Sequence, residues 1–378
     1  MTGMLTNARF LADTWSIIEG ALDEFEGPWE ALYGVCSPPP YLSYIWQSTL
    51  YALCPGGSRP FVIALAEGGR PWAMASFGYA VRNASRPIRA RVLKMNESGD
   101  PELDGVLLEH NRPLARSGDE GEALGAMAAY LLEHGPAWDE LSLGWVDEAV
   151  WRRLRPALSG LPLTVVEDGR SPYYFIDVGR LSGLDDYLGL MSANTRYQIR
   201  RAVRQYGGAD ALTWSVAPTP AVALEWFSDL QRLHQASWNV RGQRGAFSSA
   251  RIREFHARLI ADPRSSGVVE IARIDAAHGP IGYLYNLRAG DTVFNYQSGF
   301  DYAGGRQCKP GLVSHALAAA EYGRRGMRRY DLLMGDSQYK RSLSTGSGSM
   351  VRIVLQRRRL RLALERIARS LLSGIRRY

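Results

Sequence analysis

Apolar and polar residues alternate in the same order twice along the chain. Residues 61–81 read FVIALAEGGRPWAMASFGYAV, two such runs around Gly68-Gly69, which predicts an antiparallel hairpin turned at the glycine pair. Residues 268–287, VVEIARIDAAHGPIGYLYNL, repeat the pattern, and residues 291–300, DTVFNYQSGF, add a further strand. Each hairpin leads to an alanine-rich helix, a glycine stop and a short strand, AMAAYLLEHGPAWDELSLG at 126–144 and LAAAEYGRRGMRRYDLLMG at 317–335. At a constant offset of 191, Ala128, Ala129, Gly135, Leu141 and Gly144 fall on Ala319, Ala320, Gly326, Leu332 and Gly335. Hairpin, helix and strand in one order, twice over, predict two copies of one α/β unit.

Between the copies, SPYYFIDVG at 171–179 predicts a strand, and LDDYLGLM at 184–191 a helix capped by Ser182 or Asp185. A basic helix, NTRYQIRRAVR, follows from Asn194. The expected division is therefore a first half at 1–170, a second at 171–356 and a tail at 357–378. The last strand is expected at 349–355. In the tail Leu360, Leu364, Ile367, Leu371 and Ile375 recur on one helical face, with Arg358, Arg361, Arg369 and Arg376 mostly opposite. Such a helix packs on its own domain or lies on an anionic membrane surface.

Charge sharpens this picture. The 378 residues sum to +7, yet 351–378 hold nine arginines against Glu365 alone, so the other 350 residues sum to −1. The basic character belongs to one segment, which argues for a local anionic partner and against a nucleic-acid-binding body. Acidic residues crowd the first thirty positions and the apolar runs, such as 61–66, are short, so neither a signal peptide nor a membrane span is expected. Three scattered cysteines and six single histidines suggest a reducing, cytoplasmic setting and no metal site.

Candidate chemistry concentrates at 294–317, where a strand runs through a glycine-rich basic loop into a helix opened by Pro310. A helix start exposes unpaired N–H groups and suits a phosphate, with Gly304, Gly305 and Gly311 permitting close approach and Arg306 and Lys309 adding charge. His234 shares the apolar face of its helix with Trp226, Leu230 and Leu233, as a partly buried histidine or as a general base. Asp336 follows the strand 330–334 and is read as a loop cap or as a group that orients an ammonium. Arg196, Arg200, Arg201 and Arg204 are solvated charges or anion contacts, and Trp238 with Arg241 is expected on a loop at a cleft edge.

Four segments carry a family resemblance: NTRYQIRRAVRQY, LHQASWNVRGQRGAF with FHARL, NYQSGFDYAGGRQCKPGL, and RRYDLLMGDSQYKRSL. Together they cover about residues 190–345, and they resemble the acyl-CoA N-acyltransferase (GNAT) superfamily, in the bacterial cellulose- and envelope-associated branch similar to Fem-type transferases. LKMNESGDPELDGVLLEHN and the repeat extend the likeness more loosely into the first half. The resemblance implies an α/β (α+β) fold of tandem GNAT-like halves, each a mixed, mostly antiparallel sheet flanked by helices. It also implies acyl-CoA as co-substrate and attack of a free amine on its thioester. Tyr296, Gln297 and Ser298 would then lie on the strand that grips pantetheine, and Arg306, Lys309, Gly311 and Leu312 on the pyrophosphate loop. That loop, RQCKPG, departs from the family's usual Q/R-x-x-G-x-G/A spacing. His234 or Asp336 would take the amine proton, Tyr339 would protonate the thiolate, and Arg196, Arg200, Trp238, Arg241 and Lys340 would contact the acceptor. An amine at the membrane surface, such as an amino lipid, a sphingoid base or an envelope precursor, suits the basic tail. A Fem-like aminoacyl-tRNA-dependent transferase and a non-catalytic accessory protein of envelope polysaccharide synthesis are the alternatives. The acid-rich loop at 115–122 predicts that the first half has lost its cofactor site.

Overall fold

Residues 9–12, 15–36, 38–55, 60–82, 88–305 and 307–375 are described by a computed structural model, 9–12 and 369–375 by their backbone alone. To residue 177 the chain runs β1 (Arg9–Ala12), β2 (Trp15–Ala21), α1 (Glu26–Cys36), α2 (Tyr44–Ala52), β3 (Phe61–Glu67), β4 (Arg70–Arg82), β5 (Ala90–Met95), β6 (Leu114–Ala115), α3 (Glu120–Glu133), β7 (Glu140–Asp147), α4 (Glu148–Leu154) and β8 (Leu163–Asp177). It continues as α5 (Leu184–Leu190), α6 (Ala193–Gln205), β9 (Thr213–Val216), α7 (Pro220–Val240), α8 (Ala250–Ala261), β10 (Val269–Ala276), β11 (Gly279–Ala289), β12 (Thr292–Phe300), α9 (Pro310–Arg324), β13 (Arg329–Met334), α10 (Gln338–Leu343), β14 (Gly346–Arg357) and α11 (Leu360–Ile375).

Two compact units result, one of residues 1–170 with 350–378, the other of residues 171–349. The second unit ends earlier than the 171–356 read from sequence. From Met350 to Gln356, β14 pairs antiparallel with β7, which makes it a strand of the first unit. In the first unit the sheet order is β1-β2-β3-β4-β5-β7-β14, and in the second β8-β13-β12-β11-β10-β9. Each is antiparallel except at one parallel pair, β5 with β7 and β12 with β13. Both are thus mixed, mostly antiparallel sheets flanked by helices.

The two parallel pairs correct the register of the repeat. Val92 faces Glu140 and Thr292 faces Arg329, so β7 and β13 correspond at an offset of 189. Helix ends keep the offset of 191, because the link from helix to strand is two residues shorter in the second copy. Gly144 then corresponds to Leu333, and each has φ +62°. That left-handed kink costs little at glycine and strains leucine.

Helices cover both faces of the second sheet. On one, Tyr187, Ile199, Val203, Val313 and Ala316 pack on Ile274, Leu284 and Val293. The alanines of α9 let it lie close, since Ala316, Ala318, Ala319 and Ala320 are all buried. On the other face α7 rests directly on β12, where a Cβ at Gly299 would come within 2.5 Å of the Leu230 carbonyl oxygen. Helix α5 has Gly183 at its cap position and so no side-chain cap, and Ser182 instead donates its hydroxyl and its N–H to Asp186.

Candidate functional site

The second sheet is wedged open. Strands β12 and β13 pair only from Thr292–Phe294 to Arg329–Asp331, after which β12 keeps only its β11 partner and β13 only its β8 partner. Two local irregularities drive them apart. On β12, Asn286 of β11 faces Asn295 and Tyr285 faces Gln297, so Tyr296 is the extra residue of a bulge. On β13, Asp331 Oδ1 accepts the Leu333 N–H at 2.8 Å and supports the positive φ of Leu333. A wedge between strands of one sheet leaves backbone amides along its lips, the geometry that receives an extended amide-bearing chain.

Beside the wedge stands the start of α9. Lys309, in the left-handed region at φ +42°, is its cap, and Pro310 is its first residue. Gly311 lies beneath Phe300, where a Cβ would meet the ring at 3.1 Å. Helix α6 flanks this turn: Lys309 Nζ donates to Gln198 Oε1 at 2.6 Å, and Arg201 donates to Gln307 Oε1 at 2.9 Å. Leu312 packs on the core, Arg200 lies 3.7 Å from Asp185, and Arg196 is half-buried on the same helix. Arg306 lies outside the described residues.

Aromatic rings close the far side. His315 is fully buried on α9, its Nδ1 3.0 Å from the Tyr330 hydroxyl. Its ring stacks on Tyr339 at 5.8 Å and meets the edge of Phe300 at 5.6 Å. Burial, with the nearby Lys340 ammonium, holds the His315 imidazole down to about 3. Tyr339 is 40% exposed, yet burial is the main cause that pushes its hydroxyl up to about 12, with Tyr302 adding to it and Arg241 opposing. The Lys340 ammonium donates to the carbonyls of Leu333 and Met334, at 3.3 and 2.5 Å, and so caps the end of β13 rather than reaching outward.

Both candidate bases are engaged elsewhere. His234 Nδ1 lies 3.1 Å from the Ser298 carbonyl oxygen, and its Nε2 accepts the Ala246 N–H at 3.3 Å. That pattern fixes a neutral ring with its proton on Nδ1, consistent with burial lowering its pKa. It leaves no lone pair for an amine proton in this conformation. Asp336 pairs with Arg341 and accepts the Tyr174 hydroxyl at 3.1 Å.

The remaining expected residues fall near the wedge in different roles. Tyr296 turns towards α8, its ring 5.0 Å from His256 and 5.4 Å from Tyr285. Ser298 gives its carbonyl to His234 and its hydroxyl to Asn295, and half-exposed Gln297 accepts from Asn295 Nδ2 through its carbonyl at 3.4 Å. Trp238 belongs to the last turn of α7 rather than to a loop, because the helix continues to Val240. Arg241 caps that helix over the Trp238 ring at 5.6 Å and acts electrostatically on Tyr302 and Tyr339. The sequence reading missed a buried relay behind the bulge, in which Asn295 donates to Asn286, Asn286 to Tyr322 and Tyr322 to Glu270, itself held by Arg325. Its visible signal was asparagine at inward positions of two apolar strands.

A wedged mixed sheet with a helix start at its mouth defines the GNAT-type acyltransferase fold. Residues 193–341 match the acetyltransferase (GNAT) domain family. The crystal structure of FemX is 10% identical with a TM-score of 0.58, over 89% of this chain and 96% of that one. The C-terminal domain of a putative lysylphosphatidylglycerol synthetase from Agrobacterium fabrum is 12% identical with a TM-score of 0.52, over 93% and 98%. L-PGS from Bacillus licheniformis is 9% identical, also at 0.52, over 92% and 96%. At these identities the likeness is one of fold. No curated protein matches the sequence significantly.

Proposed function

We propose that the chain is an acyl-CoA-dependent N-acyltransferase whose active site is the wedge of the second unit. The observation that carries this reading is the parting of β12 from β13 at the β12 bulge, with α9 following that strand and Tyr339 stacked on His315 of the same helix. Pantetheine amides pair with the lips of the wedge. Lys309, with Arg201 beside it and the α9 N–H groups, neutralises the pyrophosphate.

The acceptor nitrogen attacks the thioester carbonyl carbon, a C–N bond forms, and the C–S bond breaks as the tetrahedral adduct collapses. Tyr339 gives its proton to the departing thiolate, and the phenolate then takes the surplus proton from nitrogen. A hydroxyl titrating at about 12 keeps its proton at neutral pH and, once deprotonated, is a strong acceptor. This route needs no proton transfer to His234 or Asp336. Arg241 and Trp238 border the acceptor side, with Arg196 and Arg200 further along α6. An amine borne at a membrane surface is the acceptor class that fits the basic tail, and the likeness to a lysylphosphatidylglycerol synthetase domain agrees with a lipid-borne substrate.

Thermal unfolding with free CoA, acetyl-CoA and a long-chain acyl-CoA tests the donor. Ligand at 100 times its Kd adds about 2.7 kcal/mol of stability. Wild type should gain it and Lys309→Glu should lose it. No gain from any thioester, with stabilisation by an aminoacyl-tRNA instead, would replace this donor by the Fem-like alternative.

A further inference from the structure

Helix α11 is mounted with its apolar face outward. Leu360, Leu364 and Ile367 are 78%, 55% and 57% exposed, while Leu362 alone among its leucines with described side chains is buried. The inward side is instead clamped by charge. Glu365 takes a forked bond from Arg82 at 2.7 and 3.0 Å, Arg361 lies 2.6 Å from Asp139, and Arg366 donates to Gln356 at 2.5 Å. A helix of a globular domain ordinarily shows the reverse, with leucines in and arginines out. The sequence continues the stripe with Leu371 and Ile375 at the same spacing.

We infer that the outward stripe of α11 docks the protein on an anionic lipid bilayer, with the helix lying in the headgroup plane. Three observations select that occupant. Arg91, Arg359 and Arg361, with side chains 37%, 36% and 40% exposed, all converge on the one carboxylate of Asp139, so the partly exposed surface next to the helix carries more positive than negative charge and complements a negative surface. A second copy of the chain would bring an equally positive border against the first, which disfavours self-association. No helix among the described residues is long and apolar enough to cross a membrane, so the stripe lies on the bilayer rather than through it. This deepens the membrane-surface reading above, but it rests on the helix alone and is measured without turnover.

Sedimentation of the full chain with vesicles tests it, using phosphatidylglycerol mixed into phosphatidylcholine, phosphatidylcholine alone, and low against high salt. Wild type should bind the anionic vesicles, release them in high salt, and ignore the neutral ones. Leu364→Gln with Ile367→Gln should bind at least about tenfold more weakly. Both sites are exposed, so its thermal unfolding should match wild type. Light scattering should show the same mass for both proteins. Failure of wild type to bind anionic vesicles, equal binding by the variant, or a dimer that the variant dissolves would each overturn the proposal. Thioester binding, unchanged in the variant, reports separately on the active site.

Discussion

Tyr339 and His315 form one stacked pair with opposite fates under burial. The imidazole is held neutral, since its titration lies near 3, and the phenol is held protonated, since its titration lies near 12. If Tyr339 supplies the proton for the leaving group, kcat depends on the fraction still carrying that proton. That fraction is full at neutral pH and falls only as the pH rises towards 12. The pH–rate profile of kcat should therefore be flat from roughly pH 6 to 9, and Tyr339→Phe should lower kcat by about 100-fold with little change in KM. Steady-state kinetics across that range checks both. A wild-type limb near pH 6.5 would instead point to a histidine, and His234→Gln would then be the variant to compare.

At the scale of elements the two wedges differ in what fills them. In the first unit β5 and β7 also part after three paired residues. There Asn111, wholly buried, spans the gap: its Nδ2 donates to the carbonyls of Met95 and Leu143 at 2.8 and 2.9 Å, and its Oδ1 accepts from Asn96. A side chain of the protein thus occupies the polar groups that a ligand would pair. Thioester binding by calorimetry should accordingly show one site per chain. Asn111→Ala should cost about 2–4 kcal/mol, because two buried carbonyls lose their donor, and urea unfolding measures that loss. Two sites in wild type would contradict the plug. The sequence revealed the repeated hairpins, helices and strands, because periodicity and glycine punctuation are local. It could not reveal the plug, since Asn111 acts across distances of 16 and 32 residues in a loop without pattern. The surroundings of His234 were hidden for the same reason. His234 shows its helical face in sequence, but the Ser298 and Ala246 partners that occupy its nitrogens come from elsewhere in the chain.

At the scale of the whole molecule the chain leaves its first unit at residue 170 and returns to it at residue 350. The first half is therefore incomplete as a continuous segment, although the repeat makes it look self-sufficient. Val351, Ile353 and Leu355 of β14 are fully buried in its core, and β7 pairs with that strand along its length. Removing such aliphatic side chains costs about 2–5 kcal/mol apiece, against a total stability of about 5–15 kcal/mol. A fragment of residues 1–170 should therefore not fold, and its exposed β7 edge should drive aggregation. The points of departure and return lie close together, since Arg352 pairs with Asp168 at 2.8 Å. A short glycine-serine link from residue 170 to residue 350 should then span the gap without strain and restore a soluble unit with cooperative thermal unfolding. Circular dichroism melts of the two fragments decide the matter. Cooperative unfolding of 1–170 alone would mean that β14 is an accessory strand, and an unfolded linked fragment would mean that the first unit depends on residues 171–349 as well.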